Sequence, residues 1–166
     1  VRRVIHSQAV ELGQVLDGKY RIVRFLGKGA WASVYEGINI RLHRRVAIKV
    51  LGKETLAHPG VVERFEREGQ AATQIESDHV IDIFDIGTLE DGRPYMVMEY
   101  LDGEDLQRRL GSTTIAADYG VRVIFEILEV LHKVHQIGII HRDIKPRNIF
   151  LARSALFGEI PKLLDF

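Results

Sequence analysis

The 166-residue chain is 46% hydrophobic and balances 23 basic against 23 acidic residues, so it can bury one sizeable core and has no net field to draw nucleic acid or anionic lipid. It contains no cysteine, which excludes disulfides, thiolate nucleophiles and Cys-based zinc sites and suits a reducing, cytoplasmic compartment. No apolar run approaches the roughly 18 residues of a membrane span, and the charged start 1–6 leads into no signal-peptide stretch.

Residues 1–14 read as an N-terminal extension. Ile22, Val23, Phe25 and Leu26 then mark a strand over 20–26 that runs into glycines at 27 and 29. A second strand surrounds Val34 and Tyr35, and the β-branched run 46–51 (VAIKVL) predicts a third, buried one. Val61, Phe65, Ala72 and Ile75 recur at helical spacing, which predicts a helix within 59–76, with Pro59 near its start. Strands over 81–86 and 94–100, joined through Asp91 and Gly92, complete a five-stranded antiparallel sheet with one helix. Beyond Leu101 the period lengthens. Val121, Ile124, Leu128 and Leu131 predict a long amphipathic helix closed by Gly138, followed by loop and short strands. The boundary falls near 101–104, giving units of 15–101 and 102–166.

The string Gly27-Lys28-Gly29-Ala30-Trp31-Ala32-Ser33-Val34 resembles GxGxxGxV, with Ala32 in place of the third glycine. Glycines let a backbone turn sharply and approach phosphate oxygens. Taken alone, the string fits an ordinary glycine-rich hairpin equally well. A dinucleotide-binding fold is excluded because a strand pattern, not a helix, follows the glycines, and no GxxxxGK[ST] string occurs.

Strand alternation puts Val46, Ile48 and Val50 on one face and Ala47 and Lys49 on the other. A lysine in so apolar a run needs an anionic partner or a path to water. Glu68 is the matching anomaly, a carboxylate inside the helical stripe Val61, Phe65, Ala72, Ile75. A Lys49–Glu68 ion pair satisfies both groups, while rim positions for each remain open.

After the long helix comes His141-Arg142-Asp143-Ile144-Lys145-Pro146-Arg147-Asn148, and Asp165-Phe166 follows a short apolar run. With VAIK at 46–49 and the glycine loop, these strings stand in the order of the protein-kinase superfamily, and the chain resembles a bacterial, eukaryote-like (Hanks-type) serine/threonine kinase cut at its DFG motif. The resemblance implies an α+β, two-lobed fold: the five-stranded sheet with its helix as N-lobe, and the start of a helical C-lobe.

It also implies ATP, Mg2+ and a protein substrate bearing Ser or Thr, with no nucleic-acid partner. Phosphoryl transfer needs in-line positioning, charge neutralisation and a carboxylate to accept the hydroxyl proton. By resemblance Asp143 is that base, Lys145 offsets charge on the transferring phosphate, and Lys49 with Glu68 grips the nucleotide phosphates. Asn148 and Asp165 offer the hard oxygens that magnesium prefers. Leu26, Val34, Ala47 and Phe150 sandwich the adenine with Met98 as gatekeeper, Glu99 and Leu101 supply backbone hydrogen bonds, and Asp105 touches the ribose. His141 is structural, packed near Phe166. A nucleotide-binding or regulatory module without transfer is the competing reading; Lys49, Asp143 and Asp165 argue against it. Val at position 1 and the ending at Phe166, short of the activation loop, suggest a fragment that lacks its substrate platform.

Overall fold

The computed structural model describes residues 10–156 and 158–166. They form two units, one running through Glu66 and resuming over Phe84–Tyr100, the other comprising Arg67–Ile83 and Leu101–Phe166.

The first unit is built on a six-stranded sheet, one strand more than the sequence predicts. In chain order the strands are β1 (Val15–Leu16), β2 (Tyr20–Lys28), β3 (Ala32–Asn39), β4 (Arg44–Leu51), β5 (Ile83–Thr88) and β6 (Pro94–Glu99), arranged β1-β2-β3-β4-β6-β5. The added strand, β1, is two residues long and pairs Leu16 with Tyr20. No periodicity can reveal so short an element.

The pairings β1–β2, β2–β3, β3–β4 and β4–β6 are antiparallel. Their register divides the side chains into two sets. Tyr35, Ile48 and Val97 form one cross-strand row, and with Ile22, Val46, Val50 and Tyr95 they make the core of this unit. The alternation expected along VAIKVL is observed: Val46, Ile48 and Val50 are buried in that core. Residues at the start of the described chain join it as well. Val10 is buried there with its amide donating to the Tyr35 hydroxyl (3.3 Å), and Gly13 N–H donates to Ile22 O (2.8 Å). Residues 1–9 of the expected extension lie outside the described residues.

Helix α1 (Val61–Thr73) begins in the first unit and ends in the second. Its predicted stripe is the buried one: Val61, Phe65, Ala72 and Ile75 just beyond its end are all inside. Gly60, with φ +74, and Pro59 precede its first turn.

The second unit adds β7 (Gly103–Asp105), α2 (Leu106–Ser112), α3 (Ala117–Gln136), β8 (Ile149–Ser154) and β9 (Gly158–Leu163). β7, β8 and β9 form an antiparallel sheet in that order. Glycine at 103 is required: its φ is +147, and a Cβ there would stand 2.0 Å from the Leu151 carbonyl oxygen.

The buried face of α3 is Val123, Ile127, Val130 and Val134, packed with Leu106, Ile149, Leu151 and Leu163. The helix predicted from Val121, Ile124, Leu128 and Leu131 is present and carries a second apolar face. Val121, Ile124 and Leu128 are exposed (69%, 50% and 56%), and only Leu131 of that set packs against the core. The helix is apolar on two faces, so period alone cannot select the one this unit covers.

A polar clamp joins α2 and α3 to β9. Arg109 Nε donates to Glu104 Oε1 (2.6 Å), its Nη2 donates to Glu159 Oε2 (2.9 Å), and the Tyr119 hydroxyl donates to Glu159 Oε1. The segment before β5 is tied to β9 by Leu163 N–H donating to His79 O (2.7 Å) and by a hydrogen bond between His79 Nδ1 and Pro161 O (2.9 Å). No helix among the described residues is long and apolar enough to cross a membrane.

Candidate active site

The residues expected to meet a nucleotide fall in both units. In the first, they occupy the sheet face opposite its core. Val34 pairs with Lys49 and Lys49 with Met96; Glu36 pairs with Ala47 and Ala47 with Met98. Directly paired residues share a face, so Val34, Ala47, Lys49 and Met98 lie on one surface. Ala47 and Met98 are buried, and Lys49 and Val34 are half-buried.

The glycine string forms the β2–β3 connection, where Gly29 N–H donates to Ala32 O (2.8 Å). Neither Gly27 nor Gly29 has a positive φ. A Cβ on Gly27 would meet nothing within 4 Å, and one on Gly29 would make only an ordinary contact with Ala32 O at 3.5 Å. The protein itself therefore does not demand glycine at these points; they leave open space beside the backbone, as an approaching phosphate requires. Ala32 is taken up without strain, buried in β3 opposite Leu51. Trp31, unremarked in the sequence, anchors the loop: Gly52 N–H donates to Trp31 O (2.9 Å), and the indole meets the His58 ring edge-on at 5.2 Å. Leu26 is partly exposed (39%) at the base of the loop.

In the second unit the string 141–148 folds back on itself. Lys145 Nζ donates to Asp143 Oδ2 (2.5 Å), and Asn148 Nδ2 donates to both Asp143 O (2.9 Å) and Asp143 Oδ2 (3.0 Å). Asn148 is buried, while the Asp143 side chain is 56% exposed. The Lys145 ammonium, with help from Asn148, holds the Asp143 carboxyl below the usual carboxylate range. It is an anion at neutral pH. Both bonds use the Asn148 side-chain nitrogen as donor.

His141 joins this loop to the segment carrying Asp165. Its ring is buried, 4.8 Å from that of Phe166. Because the Asp143 amide donates to Nδ1 (3.3 Å), the ring proton sits on Nε2, which donates to Leu164 O at 2.8 Å. Leu164 N–H in turn donates to Asn148 O (2.9 Å). Arg142 (φ +63) and Asp165 (φ +59) both hold the left-handed conformation that non-glycine residues rarely adopt. Such strain is kept where neighbouring bonds fix a functional side chain.

Asp105 and Phe150 are cross-strand partners on β7 and β8. Asp105 also caps α2, accepting from Arg108 N–H (2.9 Å). Glu68 is half-buried on α1, and Glu99 and Leu101 are half-buried around the end of β6. No group of three His, Cys, Asp or Glu residues among the described residues could hold a metal ion.

The sequence profile of the family described as "Protein kinase domain" matches residues 20–166. Among curated proteins, the chain is 40% identical over 163 residues to the serine/threonine-protein kinase Pkn1 of Myxococcus xanthus, covering 98% of this chain and 23% of that protein. It is 34% identical over 156 residues to the serine/threonine-protein kinase PrkC of Bacillus subtilis, covering 93% and 23%. The chain thus spans about a quarter of the length of these relatives. Among solved structures, the Mycobacterium tuberculosis PknI kinase domain superposes with a TM-score of 0.79 at 26% identity, over 95% of this chain and 63% of that one.

Proposed function

From the premise that this chain belongs to the protein kinase domain family, we propose that the protein carrying it transfers the γ-phosphoryl group of ATP to serine or threonine hydroxyls of protein substrates. The observation that carries this reading is the Asp143 carboxylate, deprotonated and exposed, pinned by Lys145 and Asn148 in a loop that His141 ties to the segment of Asp165. Asp143 orients the attacking hydroxyl and takes its proton. Lys145, already beside that carboxylate, offsets charge on the transferring phosphate. In the first unit the glycine loop admits the phosphates, and Lys49 grips them. Asn148 and Asp165 would hold Mg2+, which when bound would neutralise charge on the phosphates.

In the first unit Leu26, Val34, Ala47 and Met98 are assigned to the adenine and the Glu99 backbone to its edge; in the second, the Leu101 backbone is assigned to that edge, Phe150 to the base and Asp105 to the ribose. The relatives' names, serine/threonine-protein kinases of bacteria, support the same substrate class. The cysteine-free composition suits a cytoplasmic site of action.

The test is incubation of the whole protein with γ-labelled ATP, Mg2+ and a generic protein substrate. Label is expected on serine and threonine, dependent on Mg2+; absence of label, or labelling indifferent to Mg2+, would refute the proposal.

A further inference from the structure

Glu36 is an anomaly that the proposed chemistry does not use. Its side chain is only 8% exposed, yet it lies on the nucleotide face of the first unit's sheet, directly opposite Ala47, which pairs in turn with Met98. An apolar residue would fill such a position at less desolvation cost.

The carboxylate organises its surroundings. Oε2 accepts from Arg24 Nε at 2.6 Å, and Oε1 lies 3.8 Å from Arg45 Nη1. Both arginines continue to one residue. Arg24 Nη2 donates to the Tyr100 hydroxyl (3.1 Å), and the Arg45 guanidinium stacks over the Tyr100 ring at 4.2 Å. Tyr100 is thus held at its hydroxyl and across its ring face, and it stands between Glu99 and Leu101, whose backbone is assigned above to the adenine edge.

The strand pairing is bent to make this possible. Tyr20 through Ile22 pair with Asn39 through Gly37 in regular register, which would set Arg24 opposite Tyr35; instead the register shifts between Ile22 and Arg24, and Arg24 faces Glu36. A bulge of this kind re-aims a side chain. The result is a row Arg24, Glu36, Ala47, Met98 across four strands, with Tyr100 fastened to its charged end.

We propose that Glu36 is a positioning residue for the adenine end of the nucleotide site, acting through Arg24, Arg45 and Tyr100 to fix the backbone at 99–101. The inference rests on the ATP reading above. Without the carboxylate the two guanidinium groups lose their common anchor, Tyr100 is released, and the base is held less well. The phosphates, gripped by other residues, are unaffected.

The experiment measures KM for ATP, kcat and the inhibition constant of inorganic tripolyphosphate, which has the phosphates without the base, for the whole protein, Glu36→Gln and Tyr100→Phe. Glu36→Gln should raise KM about fivefold to tenfold, leaving kcat and the tripolyphosphate constant within about twofold. Tyr100→Phe leaves the buried charge pair intact and so tests the adenine end without a folding cost; it should raise KM about twofold to threefold. Unchanged KM in both variants overturns the inference, and so does an equal loss for ATP and tripolyphosphate, which marks a general effect on the fold. An unaltered protein that binds no ATP refutes the functional reading itself.

Discussion

Replacing His141 by Leu removes a group that serves the catalytic loop at both ring nitrogens. The side chain is 4% exposed and of comparable volume to leucine, so the principal loss is polar. Asp143 N–H loses its acceptor Nδ1, and the Leu164 carbonyl loses the Nε2 donor. Each stranded backbone group costs about 1–3 kcal/mol if it stays dry, and the tilted contact with Phe166 adds about 0.5–1.5 kcal/mol. Part of this is recovered as water reaches the loop beside the exposed Asp143. We therefore expect a destabilisation of about 2–4 kcal/mol by urea unfolding of the whole protein. Function should fall more sharply than stability. Arg142 and Asp165 hold left-handed backbone that the loop must over-determine, and with the bridge gone both can relax. Phosphoryl transfer measured at a temperature where the variant remains folded should drop at least about tenfold. A stability loss below about 0.5 kcal/mol with transfer unchanged would refute the reasoning.

Glu159→Gln tests the clamp between α2, α3 and β9. Burial raises the Glu159 pKa, but hydrogen bonds from Arg109 and Tyr119 outweigh it, so the folded value lies below the ordinary 4.5. Its stabilisation is therefore present above that value and lost as pH falls through the folded pKa; the variant should unfold at lower urea than the unaltered protein at pH 7, with the gap narrowing below about pH 4.5, and a gap independent of pH refutes the assignment. Lys145→Met removes the main cause of the depressed Asp143 pKa, so the carboxyl should titrate at higher pH by NMR; an unmoved midpoint contradicts it. Replacing Val121, Ile124 and Leu128 on the exposed face of α3 by Gln should reduce self-association of this 166-residue chain in sedimentation, and shift its unfolding by no more than about 0.5 kcal/mol per site. Marked destabilisation would show that the face is covered within the unit.

The elements read from the sequence were those whose periodicity has a single solution. VAIKVL has one apolar face compatible with a strand, and the stripe Val61, Phe65, Ala72, Ile75 has one compatible with a helix; both are buried as expected. The motif string 141–148 is legible because its residues are contiguous, and the bonds that hold the Asp143 carboxylate come from within it. Elsewhere the signal was ambiguous or absent. α3 offers two apolar faces, and Val121, Ile124 and Leu128 mark the one that this unit leaves exposed. α2 is seven residues long and mostly polar, although its cap Asp105 ahead of Leu106 was a usable sign. The Glu36 network was not legible because Arg24 and Tyr100 stand 76 residues apart and because a bulge, invisible in the sequence, brings Arg24 opposite Glu36.

The account rests on Asp143 as the base of a phosphoryl transfer, and the most direct measurement is the steady-state rate of Asp143→Asn in the whole protein. The amide keeps the shape and the hydrogen bond from Lys145 but cannot take a proton, so kcat should fall about a hundredfold to ten-thousandfold with KM for ATP within about twofold. Transfer by the variant at the unaltered rate would contradict the account.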